Sequence, residues 1–368
     1  MTSRLGLRYR GQSVGDAAAG CACHSRRAFL SGATAIGAAA LLAPALAKAE
    51  SPTPRTIDVH HHIYPPNYVS ENLEQIAKTN GPYAARTRSW SVQSAIEKMD
   101  QAGVATAINS MTSPGVWFED GAGARARARA CNEFGAQLIR DYPGRFGMFA
   151  AIPLPDTDGS LKEIEYALDG LKFDGVGLMT SYAGKLLGDG AFAPVFDELN
   201  RRKAVVFVHP TMSCCANPIP DVAPPVIEFP MDSTRTIVSL LLGGGFARYA
   251  DIRFIFCHGG GMLLPIVQRL QGAAAQMTAE ERARRLPNGI DHELQRQYYD
   301  VASIGFNPAG MAGLRKLLPS SQLLYGSDEP FSSTQQMSKA LASLDFSADE
   351  RAALQRGNAL RLFPRLQT

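Results

Sequence analysis

The sequence predicts an α/β fold, a single-domain (β/α)8 barrel of the TIM type. Three observations predict it. From residue 56 onward short apolar runs alternate with amphipathic stretches of helical period, each run is bounded by turn signals, and no Pro/Ser-rich linker interrupts the alternation. Apolar runs separated by helices are the pattern of parallel strands buried on both faces. Eight such units fit the length available, since barrels of this class commonly exceed about 250 residues.

The elements follow in order. The first run, Thr56-Ile57-Asp58-Val59, ends in His60-His61-His62, and a strand is expected over 56–62. A helix over 92–102 follows, capped by Ser91 ahead of Val92-Gln93. The second strand, 105–111, leads into a helix over 124–142, and the third, 146–154, into one over 161–171. Gly175-Val176-Gly177-Leu178-Met179 is the fourth strand, followed by a helix over 193–202. The fifth, 205–209, is followed by a helix over 234–242, whose start is assigned to Asp232-Ser233. Strands at 253–257, 299–301 and 323–325, with a helix over 309–317, complete the set. No internal repeat is visible.

Composition bounds the function. The chain has 368 residues, is 45% hydrophobic and carries a formal net charge of +3. That apolar content fills a full core and excludes intrinsic disorder. Residues 1–49 hold Arg4, Arg8, Arg10, Arg26, Arg27 and Lys48 against Asp16, so the remainder is slightly acidic. Nothing in its charge points to a nucleic-acid partner. Arg125 and Arg129 lie one helical turn apart within 122–130 and read as a solvated helix face.

The domain division is a leader over 1–49 and a barrel over 50–368. Ser25-Arg26-Arg27-Ala28-Phe29-Leu30 opens a mild apolar stretch that ends in Ala47-Lys48-Ala49. A basic region, a short apolar region and an A-x-A site are the parts of a cleavable export signal. The paired arginines resemble a twin-arginine signal peptide, which implies a periplasmic or secreted protein exported already folded. The stretch is too short and too rich in Ala and Gly for a stable membrane span. Of six cysteines, Cys21 and Cys23 leave with the leader, and Cys131, Cys214, Cys215 and Cys257 remain. Their spacing supports no zinc ribbon, and Cys257, in an apolar strand, is expected as a free buried thiol. Oxidising surroundings would permit a disulfide, but the adjacent Cys214 and Cys215 leave its connectivity unreadable.

Chemistry concentrates where the strands end. His60, His61, His62, His209 and His258 each close an apolar run, and Asp328 follows Leu323-Leu324-Tyr325-Gly326-Ser327. Residues two apart on a strand share a side, so His60 and His62 can grip one ion while His61 faces away. The strand ends of a barrel converge on the face where active sites are built. Three imidazoles and a carboxylate there make a site for zinc or a similar divalent ion.

These fragments resemble the amidohydrolase superfamily, in the branch of amino-carboxymuconate-semialdehyde decarboxylase and the salicylate- and resorcylate-type decarboxylases. The likeness runs over 56–365. It is carried by Asp58-Val59-His60-His61-His62 with Pro65-Pro66-Asn67-Tyr68, by Gly175-Val176-Gly177-Leu178 and by Phe207-Val208-His209-Pro210. Cys257-His258-Gly259-Gly260-Gly261 and Leu324-Tyr325-Gly326-Ser327-Asp328 complete it. Each fragment alone is weak, and the order and spacing make them specific. The resemblance implies His60, His62, His209 and Asp328 as metal ligands and His258 as a catalytic residue beside the ion. Binuclear members use a carboxylated Lys on the fourth strand. Residues 175–179 hold no Lys, Asp or Glu, so one ion is expected, zinc first and manganese as the alternative.

Two reactions suit such a centre. In one, a substrate carboxylate and an ortho hydroxyl or enol oxygen meet the ion, a carbon is protonated and carbon dioxide leaves. Asp328 or His258 handles the proton. In the other, water activated by the ion attacks an amide, lactone or ester, with Asp328 as base and His258 supporting the oxyanion. The resemblance favours the first: a carboxy-lyase, a metal-dependent non-oxidative decarboxylase of a small hydroxy-aromatic or enol-type carboxylic acid. A hydrolase is the alternative, and a non-catalytic exported binding protein would require damaged ligands that the sequence does not show. Tyr64, Asn67, Tyr68, Trp117, Phe118, Tyr182 and Met212 are candidates to line the pocket. Arg235 is a candidate for an anionic group or for helix-surface pairing. The glycines after His258 lack the Lys-Ser/Thr ending of a phosphate loop and read as close packing. Apolar helix faces leave room for a homodimer.

Overall fold

Eight parallel strands pair in sequential order in the computed structural model, which describes residues 55–212 and 219–367. They are β1 (Thr56–His62), β2 (Val104–Ser110), β3 (Phe146–Ala151), β4 (Gly175–Met179), β5 (Val205–His209), β6 (Arg253–Phe256), β7 (Tyr298–Asp300) and β8 (Leu323–Leu324). Their Val-, Ile- and Phe-rich runs are buried nearly throughout, as a sheet covered on both faces requires. The barrel closes between its first and last strands. The Val59 amide donates to Tyr325 O (3.0 Å), the Asp328 amide to His60 O (2.8 Å) and the His62 amide to Glu329 O (3.0 Å). This is the (β/α)8 barrel that the alternation predicts.

Two apolar clusters fill it. The interior holds Ile57, Val59, Phe149, Val205, Phe207 and Ile255, and Phe363 and Leu366 from the chain's last turns pack against them. Phe149 and Phe207 stack at 5.0 Å across that interior. The second, larger cluster lies between strands and helices. Alternation along β1 is broken by a register shift against β2 between Asp58 and His61. Val59 therefore packs in the interior cluster and the next residue, His60, lies against interior Phe207 at 5.2 Å. Irregularities of this kind re-aim side chains near active sites.

The helix over Val92–Ala102 begins as predicted, with Ser91 Oγ accepting from the Ser94 amide. The expected start at Asp232-Ser233 is wrong. That helix, α1 (Pro224–Gly243), begins ten residues earlier on Pro224-Pro225, where the absent N–H groups would have had no helical partner. Asp232 is instead buried in its middle and accepts the Thr180 hydroxyl. The helix expected at 161–171 starts at Thr157, on an Asp156 cap, and ends in one wide turn, Tyr166–Gly170. Stretches not assigned from sequence add α2 (Leu263–Ala275) and, earlier in the chain, a helix over Leu73–Asn80.

Arg125 and Arg129 pair with Asp156 (2.8 Å) and Glu163 (2.8 Å) on the neighbouring helix, the surface role expected of them. Cys131 and Cys257 are buried free thiols. The leader and the Cys214-Cys215 pair lie outside the described residues. Among the described residues no helix is long and apolar enough to cross a membrane.

Candidate metal centre

At the carboxyl ends of the strands the predicted residues come together. The ligand atoms of His60, His62, His209 and Asp328 all lie within 4.8 Å of one another. His60 Nε2 stands 3.2 Å from His62 Nε2, and Asp328 Oδ1 is 3.1 Å from His62 Nε2 and 3.2 Å from His60 Nε2. His258 Nε2 is 3.3 Å from Asp328 Oδ2. His61 faces away, its Nδ1 donating to Asn109 Oδ1 at 3.0 Å.

The partners of the outer ring nitrogens set the tautomers. His60 Nδ1 faces Asp300 Oδ2 (2.9 Å), His62 Nδ1 faces the Ser110 carbonyl (3.3 Å) and His209 Nδ1 faces Pro210 O (2.8 Å). Each Nδ1 is thereby a donor, and each Nε2 turns its lone pair to the common centre. Three lone pairs and a carboxylate aimed at one point repel one another unless a cation lies between them. Adjacent donors on a tetrahedral ion, with bonds of ~2.05 Å, stand roughly 3.3 Å apart. The observed separations of the His60, His62 and Asp328 donors match, so the donor set fits a divalent ion.

Charge is arranged accordingly. Burial holds the His209 imidazole well below its usual range, with His62 and His60 nearby adding to the effect. Burial also lowers His62. For Asp328, burial favours the neutral acid, but His60, His258 and His62 outweigh it and hold the carboxyl well below the ordinary range. Behind the centre, burial pushes Asp58 up to about 7 against hydrogen bonds from Ser327 and the His60 amide.

Sequence reasoning missed Asp300. It is wholly buried at the end of β7, with Oδ2 on His60 and Oδ1 accepting the amides of His258 (3.0 Å) and Ala302 (3.0 Å). An acid inside an otherwise apolar strand was the available signal. Gly259, Gly260 and Gly261 all have positive φ, and a Cβ on Gly261 would stand 2.2 Å from Pro230 O of α1. The glycine run is close packing, as expected.

The pocket assignments are corrected. A cavity of about 330 Å³ opens on the centre, lined by Asn80, Tyr83, Thr112, Val226, Phe229 and Phe331 beside His209, His258 and Asp328. None of the seven aromatic, Asn and Met candidates lines it. Tyr64 is buried behind Phe331, with ring centroids 6.2 Å apart. Asn67 and Tyr68 border a separate cleft beside Arg127. Phe118 lies under the Arg127 guanidinium at 4.3 Å, and Trp117 is half-buried. Tyr182 is buried, accepting the Met179 amide, and Met212 is exposed. The early start of α1 instead brings Pro225, Val226, Phe229 and Pro230 to the cavity. Arg235 is mid-helix, with Nη1 3.9 Å from Asp232 Oδ1, the pairing role.

A barrel with a strand-end His/Asp centre of this kind defines a class, and comparison with known proteins agrees: the chain belongs to the Amidohydrolase family, matched over residues 57–365. Its relatives narrow the class. It is 35% identical over 334 residues to decarboxylase yanB of Aspergillus niger, covering 84% of this chain and 88% of that one. It is 34% identical to 6-methylsalicylic acid decarboxylase of Penicillium expansum, over 84% of this chain and 97% of that one. The fold matches the crystal structure of dihydroxybenzoic acid decarboxylase from Polaromonas sp. JS666 with bound manganese and 2-nitroresorcinol. There the TM-score is 0.74 at 20% identity, over 85% of this chain and 98% of that one.

Proposed function

We propose that this protein is a metal-dependent non-oxidative decarboxylase of a small hydroxy-aromatic carboxylic acid. The observation that carries the reading is the convergence of His60, His62, His209 and Asp328 beneath an aromatic cavity, with His258 bonded to Asp328. The decarboxylase names of its relatives support it. In this reading those four residues hold one divalent ion, and the apolar β4 provides no bridging ligand for a second. The donor set favours zinc, and the manganese of the Polaromonas neighbour makes that ion the alternative.

Bound there, the ion would draw electron density from the substrate carboxylate and an ortho oxygen. Phe229 and Phe331 cover the cavity, packed against His209 (6.4 Å) and His62 (5.9 Å), and keep bulk water from the ring. Asp328 Oδ2 and His258 Nε2 share a proton across their 3.3 Å contact. That proton is delivered to the ring carbon bearing the carboxylate. The carbon–carbon bond then breaks, its electron pair restores the aromatic ring, and carbon dioxide leaves, so the reaction consumes one proton.

The test is release of labelled carbon dioxide from carboxyl-labelled hydroxybenzoates by protein carrying about one ion per chain. Asp328→Asn should reduce it by at least ~10²-fold, the scale of general acid–base catalysis. Turnover of lactones or esters with no carbon dioxide from any acid would overturn the reading in favour of a hydrolase. The leader at 1–49 extends the proposal to twin-arginine export of the folded barrel into the periplasm or beyond. Loss of export on replacing Arg26-Arg27 with Lys-Lys, read by fractionation, checks it. A homodimer is proposed from the apolar helix faces, and sedimentation decides it.

A further inference from the structure

Asn80 ends the helix over Leu73–Asn80, is 1% exposed, and lines the cavity that opens on the metal centre. Its Nδ2 donates to Ser113 O at 3.0 Å. A carbonyl can only accept, so this contact fixes which end of the amide is which. Oδ1 is left as a hydrogen-bond acceptor, and among the described residues it has no partner. That oxygen is not sealed in the interior, so it stays open to a donor that enters the cavity. The cavity's charge narrows what that can be. Among the described residues that line it there is neither Lys nor Arg. A second anionic group on a substrate would therefore meet no Lys or Arg among these described residues. A neutral donor would find Asn80 Oδ1.

We infer that Asn80 is a specificity-determining residue that accepts a hydrogen bond from a hydroxyl on the substrate ring, other than the ortho oxygen turned toward the ion. This rests on the decarboxylase reading and refines its substrate class to an aryl monocarboxylate with an additional ring hydroxyl. Thr112, Ser303, Ser332 and Tyr83 also bring hydroxyls to the cavity, but a hydroxyl donates as readily as it accepts, whereas Asn80 Oδ1 can only accept and so discriminates in favour of a donor.

Two measurements test it on the metal-loaded full chain. In the first, kcat/KM is compared for 2-hydroxy-6-methylbenzoate and 2,4-dihydroxy-6-methylbenzoate. In the second, calorimetry compares binding of the corresponding products, 3-methylphenol and 5-methylbenzene-1,3-diol, with no turnover required. The wild type should favour the additional hydroxyl by about tenfold, the scale of one net hydrogen bond. Asn80→Leu should abolish that preference while keeping its metal content, and Asn80→Ser, which retains a short acceptor, should keep part of it. An unchanged preference in folded, metal-loaded Asn80→Leu overturns the assignment, as does a wild type that does not distinguish the two phenols. Absence of carbon dioxide from every acid sinks the decarboxylase reading instead, and the phenol binding then still decides the role of Asn80.

Discussion

Asp300 carries more of the centre than its place outside the four-residue donor set suggests. Both carboxylate oxygens are used, one on His60 Nδ1 and one on the amides of His258 and Ala302. It thus sets the tautomer of a proposed ligand and the backbone of the proposed catalytic His258, whose φ is +57°. In Asp300→Asn, one amide N–H pair must face a donor, and His60 loses its orientation. Metal affinity is expected to fall about 10–100-fold, the usual effect of losing an outer partner of a ligand. Chelator competition measures it, and unaltered affinity in a folded variant would refute the role. The sequence displayed the ligands because His is rare and five of them close strands. It hid Asp300 and Asn80 because an acid or an amide becomes informative only once burial and partners are known.

Elements were legible to the degree that their signal is local. β1, β4 and β5 have the bounds that the apolar runs predict, and the other five strands shift by a few residues at most. The start of α1 was not legible. Asp232-Ser233 before Thr234 has the form of a cap, and the prolines at 224 and 225 resemble loop. Tertiary contact decides: Asp232 turns inward to Thr180, and the helix continues back through Pro230. This first half of α1 rests on the glycine turn after His258. Gly261→Ala combines φ +68° with a Cβ 2.2 Å from Pro230 O, so it should cost about 2–4 kcal/mol. Denaturant unfolding reads the loss, and wild-type stability would disprove so close an approach.

The whole molecule should report the ion through its stability. A ligand bound only by the folded state stabilises it by about 2.7 kcal/mol at one hundred times its Kd. For a barrel of this size the melting temperature should rise roughly 5 °C on adding the divalent ion. Chelator should reverse the shift, and His60→Ala should show none. A melting curve indifferent to both would rule out a bound ion. Fold class was the most legible property of all, since eight repetitions of one pattern tolerate errors at any single boundary.

The seam between β1 and β8 has a consequence in time. His62 and Asp328 meet across 266 positions of chain, so the donor set is incomplete until the last strand has docked on the first. A growing chain can offer imidazoles but not the finished cage, and capture of the ion marks the end of folding. If the leader exports the barrel already folded, loading precedes transport. The choice between zinc and manganese then belongs to the compartment of synthesis and its metal supply, since raw affinity alone seldom decides which divalent ion a site acquires.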